Sequence, residues 1–243
     1  MKKDLIISSN TSTIPIKLLT KDLSENFKKN FLITHFFNPP RYLKLLEIVK
    51  SNLTNNEILE KIKNFGDINL GKSVIETKDT PGFIGNRIGI FWIERAASEA
   101  IKLNLTVEEA DFIIQNIFKV PKTGVFGLLD VIGLDLIPSV VESLLNNLPD
   151  DDYYKSVHST PEIFNKMLDK KLIGRKGDGG FYKLVNKNNK KIKYSLNLKS
   201  MEHHPSIKPV IANSNLIKKN IKYFLIQENK YSIYAQKIIC EII

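Results

Sequence analysis

Short apolar runs separated by polar stretches fill the first 78 residues. The runs DLIIS, NFLITHFF, LKLLEIV and KSVIETK have the length and the β-branched or aromatic content of strands. Between them lie a helix or turn in IPIKLLTKDLSENFKK and a helix in NNEILEKIKNF, which Thr54 and Glu57 open as a capping box. Strands that alternate with helices are typical of an α/β layer with parallel pairing. Residues 1–78 are therefore predicted to form an α/β domain.

The pattern changes at residue 79, after which helical periodicity dominates. Helices are predicted in DTPGFIGNRIGIFWIERAASEAIKLN, VEEADFIIQNIF, LLDVIGLDLIPSVVESLLNNL and TPEIFNKMLDKKLIG. Thr106 and Glu109 form a capping box at the second of these helices. Residues 79–185 are therefore predicted to be a helical domain, so that the fold class is α/β followed by all-α. Residues 186–213 are predicted to be a basic linker, and residues 214–243 to form further helices that need a partner surface.

Composition narrows the class of protein. The 243 residues are 42% hydrophobic and 26% charged, as in a folded globular chain, and no apolar run approaches the length of a membrane span. Cys240 is the only cysteine and no signal-peptide pattern opens the chain, so we expect a reducing, cytoplasmic location. The net charge is +10, but residues 186–243 hold 11 lysines against 3 acidic residues. Because few aromatics accompany these lysines, no nucleic-acid partner is expected.

His35 and Glu47 are the first candidates for chemistry. His35 ends an apolar run that Pro39 and Pro40 stop, which places its imidazole at a strand end, where α/β sheets bind ligands. Glu47 lies in the apolar run LKLLEIV, where an unpaired carboxylate is costly. If the two strands are neighbours, Glu47 holds one ring nitrogen and makes His35 a general base. The alternative is a core histidine and a solvated glutamate at a sheet edge.

Three weaker candidates lie in loops and at helix starts. Ser12, in SSNTST, follows a strand and either bonds a ligand oxygen or caps the next helix. Asn86 lies about one turn into the helix that Pro81 and Gly82 begin, and is either a ligand contact or a surface residue. Lys176, in GRKGDGGFYK, either meets phosphate or belongs to a plain turn. The histidines lack metal-ligand spacing, so no metal site is predicted.

Five motifs, in order, resemble the NAD-dependent 3-hydroxyacyl-CoA dehydrogenases. They are SSNTST, THFFNPPRYLKLLEIVK, KDTPGFIGNR, TGVFGLLDVIGLDL and GRKGDGGFYK, and they extend over roughly residues 5–185. The resemblance implies the C-terminal part of a Rossmann-type domain followed by the family's helical C-terminal domain, which mediates dimerisation. Beyond residue 186 the chain is similar to long forms that add a second helical module. Residues 214–243 would be the truncated start of that module.

The resemblance also implies roles for single residues. His35 matches the catalytic histidine that accepts the proton of the substrate 3-hydroxyl, and Glu47 matches its carboxylate partner. Ser12 and Asn86 match groups that position the substrate oxygens. Ser12, Asn38 and Lys176 match positions that approach NAD. The implied reaction is oxidation of (S)-3-hydroxyacyl-CoA to 3-ketoacyl-CoA in fatty-acid β-oxidation.

One departure from the family is large. The family opens with a G-x-G-x-x-G turn whose backbone receives the dinucleotide pyrophosphate, whereas the first glycine here is Gly66. We therefore expect an N-terminally truncated form whose nucleotide half comes from a separate chain, with a homodimer as a further expectation. The alternative hypothesis is an inactive remnant retained as a CoA-binding or dimerisation module.

Overall fold

The computed structural model describes residues 5–118 and 123–242. The chain divides into two compact units. The first comprises Met1–Gly89 with Val140–Lys155, and the second comprises Ile90–Ser139 with Ser156–Ile243. Among the described residues, no helix combines the length and the apolar content needed to cross a membrane.

A four-stranded sheet with the order β1-β2-β3-β4 forms the centre of the first unit. Its strands are β1 (Ile7–Ser9), β2 (Phe31–Phe36), β3 (Leu45–Val49) and β4 (Ser73–Thr77). Helices α1 (Ile16–Leu19) and α2 (Glu25–Lys29) connect β1 to β2. Helix α3 (Asn56–Asn64) and the π-helical turn Phe65–Asn69 connect β3 to β4.

The predicted parallel pairing is present for two of the three strand pairs and is wrong for the third. β1 pairs parallel with β2 and β3 parallel with β4, but β2 and β3 are antiparallel. Parallel neighbours need a crossover of about a dozen residues or more, and only residues 37–44 separate β2 from β3. This short connection forces the chain to reverse direction, which brings β3 back along β2.

Apolar side chains cover both faces of this sheet. One face packs Phe31, Ile33 and Val49 with Ile16 of α1. On the other face, Leu32, Leu46 and Ile48 of the sheet pack against Ile58 and Leu59 of α3. Successive strand residues point to opposite faces, so a sheet covered on both sides needs continuous apolar runs. Burial on both faces therefore explains the continuous apolar runs from which the strands are predicted.

The start of α3 differs from the predicted capping box. Asn55 is the N-cap, and its side-chain oxygen accepts the Glu57 N–H at 2.9 Å. The Thr54 hydroxyl instead donates to the Phe31 carbonyl at 2.9 Å and so ties the loop to β2. The helix therefore begins one residue later than predicted, because this tertiary hydrogen bond takes the hydroxyl away from the cap.

The remaining helices follow in chain order. They are α4 (Gly85–Lys102), α5 (Val107–Phe118), α6 (Phe126–Ile132), α7 (Ile137–Asn147), α8 (Tyr153–Val157), α9 (Glu162–Asp169), α10 (Ser214–Lys219), α11 (Ile221–Leu225) and α12 (Lys230–Ile242). The predicted capping box of α5 is confirmed. The Thr106 hydroxyl accepts the Glu109 N–H at 3.2 Å, and the Glu109 carboxylate accepts the Thr106 N–H at 2.9 Å.

The apolar helix predicted from LLDVIGLDLIPSVVESLLNNL is interrupted. Gly133 ends α6 with a φ of 97°, and a 3-10 turn at Leu134–Leu136 precedes α7. A φ in this range is readily adopted only by glycine, so the chain changes direction at this residue. The apolar periodicity on either side of Gly133 hides the interruption in the sequence.

Residues 186–213 are not the basic linker that the sequence predicts. A second sheet, with the order β5-β6-β7, is formed by β5 (Tyr182–Lys187), β6 (Lys190–Leu196) and β7 (His203–Pro205). A two-residue turn of Asn188 and Asn189, with φ of 51° and 59°, joins β5 to β6. Asparagine tolerates positive φ, which makes it a common hairpin-turn residue. The lysines obscure the strands because they occupy exposed positions of the hairpin.

The C-terminal helices pack within the second unit, where α12 and α10 contact α5. Phe224, Tyr234, Ala235 and Ile238 are fully buried there. The Tyr234 hydroxyl donates to the Ala96 carbonyl at 3.1 Å. The predicted helices are thus present and have a partner surface. That residues 214–243 begin a second module stays a prediction.

Candidate active site

The antiparallel register of β2 and β3 places His35 directly opposite Glu47. Both side chains are buried, with His35 5% and Glu47 0% exposed. His35 Nδ1 lies 2.6 Å from Glu47 Oε2, which is hydrogen-bonding distance. The contact anticipated for neighbouring strands is therefore present, and the chain reversal between β2 and β3 produces it.

The second carboxylate oxygen of Glu47 is also occupied. Glu47 Oε1 accepts the backbone N–H groups of Ile84 at 2.9 Å and Gly85 at 2.8 Å, at the start of α4. Amides at a helix start lack intrahelical partners, and the positive end of the helix dipole favours a carboxylate there. Glu47 is thus anchored at one oxygen while the other faces His35.

Gly85 leaves room for the ring of Phe37. A Cβ at this position would overlap the ring of Phe37 and lie 3.5 Å from Glu47 Oε2. The glycine is therefore required by space rather than by an unusual φ.

Aromatic rings enclose the imidazole of His35. Its centroid lies 4.6 Å from the Phe37 ring and 5.6 Å from the Phe83 ring. With an acceptor carboxylate at Nδ1, the proton of the neutral ring lies on Nδ1 and the lone pair on Nε2. This arrangement gives His35 one nitrogen fixed by the protein and one nitrogen able to take a proton.

Ser12 and Asn86 meet in the same unit. Asn86 lies in the first turn of α4, and its side-chain Nδ2 donates to the Ser12 backbone carbonyl at 3.3 Å. Ser12 thus contributes its backbone carbonyl to this contact rather than the side-chain hydroxyl that the sequence predicts. Asn38 is exposed in the loop after β2. Lys176 belongs to the second unit, where its Nζ lies 3.2 Å from Asp135 Oδ1.

Two further polar residues, Asn10 and Asp79, are not predicted from the sequence and lie in the same unit. The Asn10 side chain accepts the Phe36 N–H at 2.9 Å and so joins the ends of β1 and β2. Both carboxylate oxygens of Asp79 accept the Ile16 N–H, at 3.1 and 3.0 Å, and burial raises the pKa of Asp79. Asn10 is in the motif SSNTST, so the same strand-end argument points to it. Asp79 offers no local signal, because its partner lies 63 residues away.

Comparison with known proteins decides the family. Residues 1–80 match the family model "3-hydroxyacyl-CoA dehydrogenase, NAD binding domain", and residues 82–184 match "3-hydroxyacyl-CoA dehydrogenase, C-terminal domain". The chain belongs to the 3-hydroxyacyl-CoA dehydrogenase family. This is a family of NAD-dependent oxidoreductases, which confirms the predicted resemblance, the predicted cofactor and the predicted order of a Rossmann-type and a helical domain.

Relatives of this chain are considerably longer than the chain itself. The "Putative fatty acid oxidation complex trifunctional enzyme" of Rickettsia prowazekii is 44% identical over 216 residues, which are 89% of this chain and 30% of the relative. The "Probable 3-hydroxyacyl-CoA dehydrogenase" of Bacillus subtilis is 42% identical over 75% of this chain and 23% of its own length. The chain thus spans a third or less of these relatives.

A solved structure of the family has the same fold. The crystal structure of (S)-3-hydroxybutyryl-CoA dehydrogenase from Ralstonia eutropha matches 72% of this chain and 59% of its own chain, with a TM-score of 0.62 and 30% identity. The sheet that carries His35 and Glu47 lies within residues 1–80, the range that matches the NAD-binding domain of the family.

The residues present fit one end of NAD better than the other. Polar groups at the ends of β1 and β2, among them Asn10, Ser12 and Asn38, suit the amide and hydroxyls of the nicotinamide riboside. The pyrophosphate needs a glycine turn at a helix start, and no glycine precedes Gly66 in the sequence. These residues therefore do not form a pyrophosphate cradle.

Proposed function

We propose that this chain carries the proton-transfer half of an NAD-dependent 3-hydroxyacyl-CoA dehydrogenase. The reaction is oxidation of (S)-3-hydroxyacyl-CoA to 3-ketoacyl-CoA in fatty-acid oxidation. The observation that carries the proposal is the buried pair of His35 and Glu47, joined at 2.6 Å and anchored at the start of α4. Membership of the family supports the choice of substrate class.

His35 acts as the general base in this proposal. Its Nε2 accepts the proton of the substrate 3-hydroxyl, while Glu47 holds Nδ1–H and stabilises the positive charge that develops on the ring. NAD, when bound, supplies the acceptor for the hydride that leaves C3. The aromatic rings of Phe37 and Phe83 limit the access of water to the imidazole.

Ser12 and Asn86 position the substrate oxygens in this proposal. Their hydrogen bond fixes the loop after β1 against the first turn of α4, so that both polar groups lie beside the segment that holds Glu47. Ser12, Asn38 and Lys176 are proposed to approach NAD. For Lys176 this rests on the family resemblance alone, since its observed contact is with Asp135.

A partner that supplies the glycine turn is part of the proposal. The motif is missing before Gly66, while the proposed base and its carboxylate are present. We further propose a homodimer in the cytoplasm. The alternative, an inactive remnant that binds CoA or dimerises, is favoured by the same missing motif.

A stereochemical assay separates these functions. The chain is incubated with NAD and (S)-3-hydroxybutyryl-CoA, alone and with a polypeptide that contains a strand, a G-x-G-x-x-G turn and a helix. We expect NADH to form in the mixture, and the (R) isomer to give none. Absence of NADH with the added polypeptide, while the chain still binds CoA, would establish the remnant instead.

A further inference from the structure

The first unit contains a cavity that the proposed active site does not use. Its volume is about 820 Å³, and its wall includes residues of α1 and residues that follow β3 and β4. His35, Glu47, Ser12 and Asn86 are all absent from its lining. It is therefore a separate feature of this unit, and the inference drawn from it does not depend on the proposed dehydrogenase activity.

Lysine is the commonest residue in the lining of this cavity. Five of its thirteen lining residues are lysines, namely Lys17, Lys21, Lys28, Lys50 and Lys78. Several cations on one wall raise the local concentration of anions, and a concave wall strengthens this effect by focusing the field. The lining thus favours an anionic occupant.

The two acidic residues of the lining are already occupied. The carboxylate of Glu76 pairs with Lys50 at 2.9 Å, and that of Asp79 accepts the Ile16 N–H. Lys17, Lys21 and Lys78 have no carboxylate within ion-pair distance in the described part of the chain. The positive charge of these three side chains is therefore not neutralised by the wall itself.

Thr77 supplies a second, independent indication of a ligand. This residue ends β4 and lines the cavity, and its side chain is 6% exposed. Its hydroxyl is buried and has no hydrogen-bond partner among the described residues. An unpaired buried hydroxyl costs stability, and a rotation of the side chain that brings the hydroxyl to an acceptor in the cavity would remove this cost.

We propose that this cavity binds a phosphate-bearing anion. Lys17, Lys21 and Lys78 supply charge-assisted hydrogen bonds, and Thr77 donates its hydroxyl to a phosphate oxygen. Each of the four groups is a donor, and a phosphate offers several strong acceptors in a small volume. The site requires no contribution from the residues of the proposed active site.

The probe for this site is inorganic phosphate, titrated calorimetrically into the full chain at constant ionic strength. We expect saturable binding to one site. The triple substitution Lys17→Gln, Lys21→Gln, Lys78→Gln should weaken this binding by about tenfold or more. As a matched control, Lys170→Gln, Lys187→Gln, Lys208→Gln removes the same charge outside the cavity and should leave the affinity unchanged.

Thr77→Val provides the sharper test, because it keeps the shape of the side chain and removes only the hydroxyl. It should raise the unfolding temperature of the free chain, since no buried hydroxyl is left unpaired, and it should weaken phosphate binding. Non-saturable binding by the native chain, or equal losses in the two triple variants, would overturn the proposal. Thr77→Val with unchanged phosphate affinity would do so as well.

The phosphate group can belong to a free phosphomonoester or to the 3′-phosphate of coenzyme A. Competition distinguishes the two sources. If coenzyme A displaces inorganic phosphate and 3′-dephospho-coenzyme A does not, the site binds coenzyme A by its 3′-phosphate. If neither displaces it, the occupant is a free phosphorylated molecule.

Discussion

Glu47 connects three segments of backbone through one carboxylate. It faces His35 on β2, lies on β3 itself, and accepts two amides at the start of α4. In each contact a carboxylate oxygen accepts a hydrogen bond. Because Glu47 is fully buried, water cannot replace a partner that is lost. The tautomer of His35 therefore depends on the acceptor oxygen that Glu47 presents to Nδ1.

Glu47→Gln tests this dependence. The amide oxygen of glutamine can still accept from Ile84 and Gly85, but its NH₂ then faces Nδ1 of His35 and moves the ring proton to Nε2. Turnover should fall by about 10² to 10⁴-fold while the unfolding temperature changes little. Nitrogen NMR of the imidazole reports the tautomer, and an unchanged tautomer with full turnover would refute the assignment.

Gly85→Ala tests the steric part of the site. The new Cβ would overlap the Phe37 ring, so the free energy of unfolding should fall by about 1–3 kcal/mol. Gly89→Ala, one turn later in α4, is the matched control because nothing lies within 4 Å of its Cβ. The control should stabilise the helix by about 0.5–1 kcal/mol. Urea unfolding measures both, and equal effects would contradict the account.

Buried carboxylates make stability depend on pH. Burial raises the pKa of Asp111 to about 7 and that of Asp130 to about 6, against the hydrogen bonds that each accepts from backbone amides. The folded state therefore holds these protons more tightly than the unfolded state. Their contribution is complete below about pH 4, the ordinary range of an aspartate, and is lost as the pH rises through these raised values.

Thermal unfolding between pH 6 and pH 8 checks this sign. The unfolding temperature should fall as the pH rises, and Asp111→Asn should reduce the slope because asparagine does not titrate. The pKa values of Glu99 and Glu108 are lowered, so these residues stabilise the fold above about pH 4.5. Their contribution is lost only as the pH falls below that value, which is outside the measured range. Asp151 is exposed, so Asp151→Asn is the control. If the unfolding temperature changes with pH equally in Asp151→Asn and Asp111→Asn, other groups control the pH dependence.

At the scale of elements, α12 is an integral part of the second unit. Tyr234 is fully buried and bonds the Ala96 carbonyl, so Tyr234→Ala should destabilise the chain by about 3–5 kcal/mol. Ile233 is its neighbour in α12 and is 38% exposed. Ile233→Ala should cost about 0.5 kcal/mol or less. Urea unfolding with equal losses for both variants would mean that α12 is not packed as described.

Elements with a local cause could be predicted from the sequence. The capping box of Thr106 and Glu109 needs only a spacing of three residues, and the apolar runs of β2 and β3 need only burial on both faces. Elements with a distant cause could not be predicted. Thr54 leaves its cap for a carbonyl 23 residues away, and the lysine-rich strands β5 and β6 are held by backbone pairing.

The candidate site divides in the same way. His35 and Glu47 could be paired in advance because a buried charge needs a partner and one strand end offered a histidine. The amides of Ile84 and Gly85 could not be found, since backbone donors carry no signature in the sequence. The antiparallel pairing of β2 and β3 differs from the predicted parallel pairing, and its cause is the eight-residue connection between the two strands.

On the scale of the whole molecule, the sequence contains both residues of the proposed proton-transfer pair but no glycine turn ahead of them. Residues 1–80 match an NAD-binding domain, yet the glycine turn is missing from the sequence before Gly66. The proposed dehydrogenase activity therefore requires a glycine turn that residues 1–65 do not contain. The proposed phosphate binding does not require the glycine turn, because none of the residues that line the phosphate cavity belongs to the proposed active site.

The initial rate of NADH formation from (S)-3-hydroxybutyryl-CoA tests the central claim most directly. It is measured for the native chain and for His35→Gln, each supplemented with the same glycine-turn polypeptide and each confirmed as folded by circular dichroism. The account predicts turnover by the native chain and a loss of about 10²-fold or more in the variant. Turnover by His35→Gln at the native rate would contradict it.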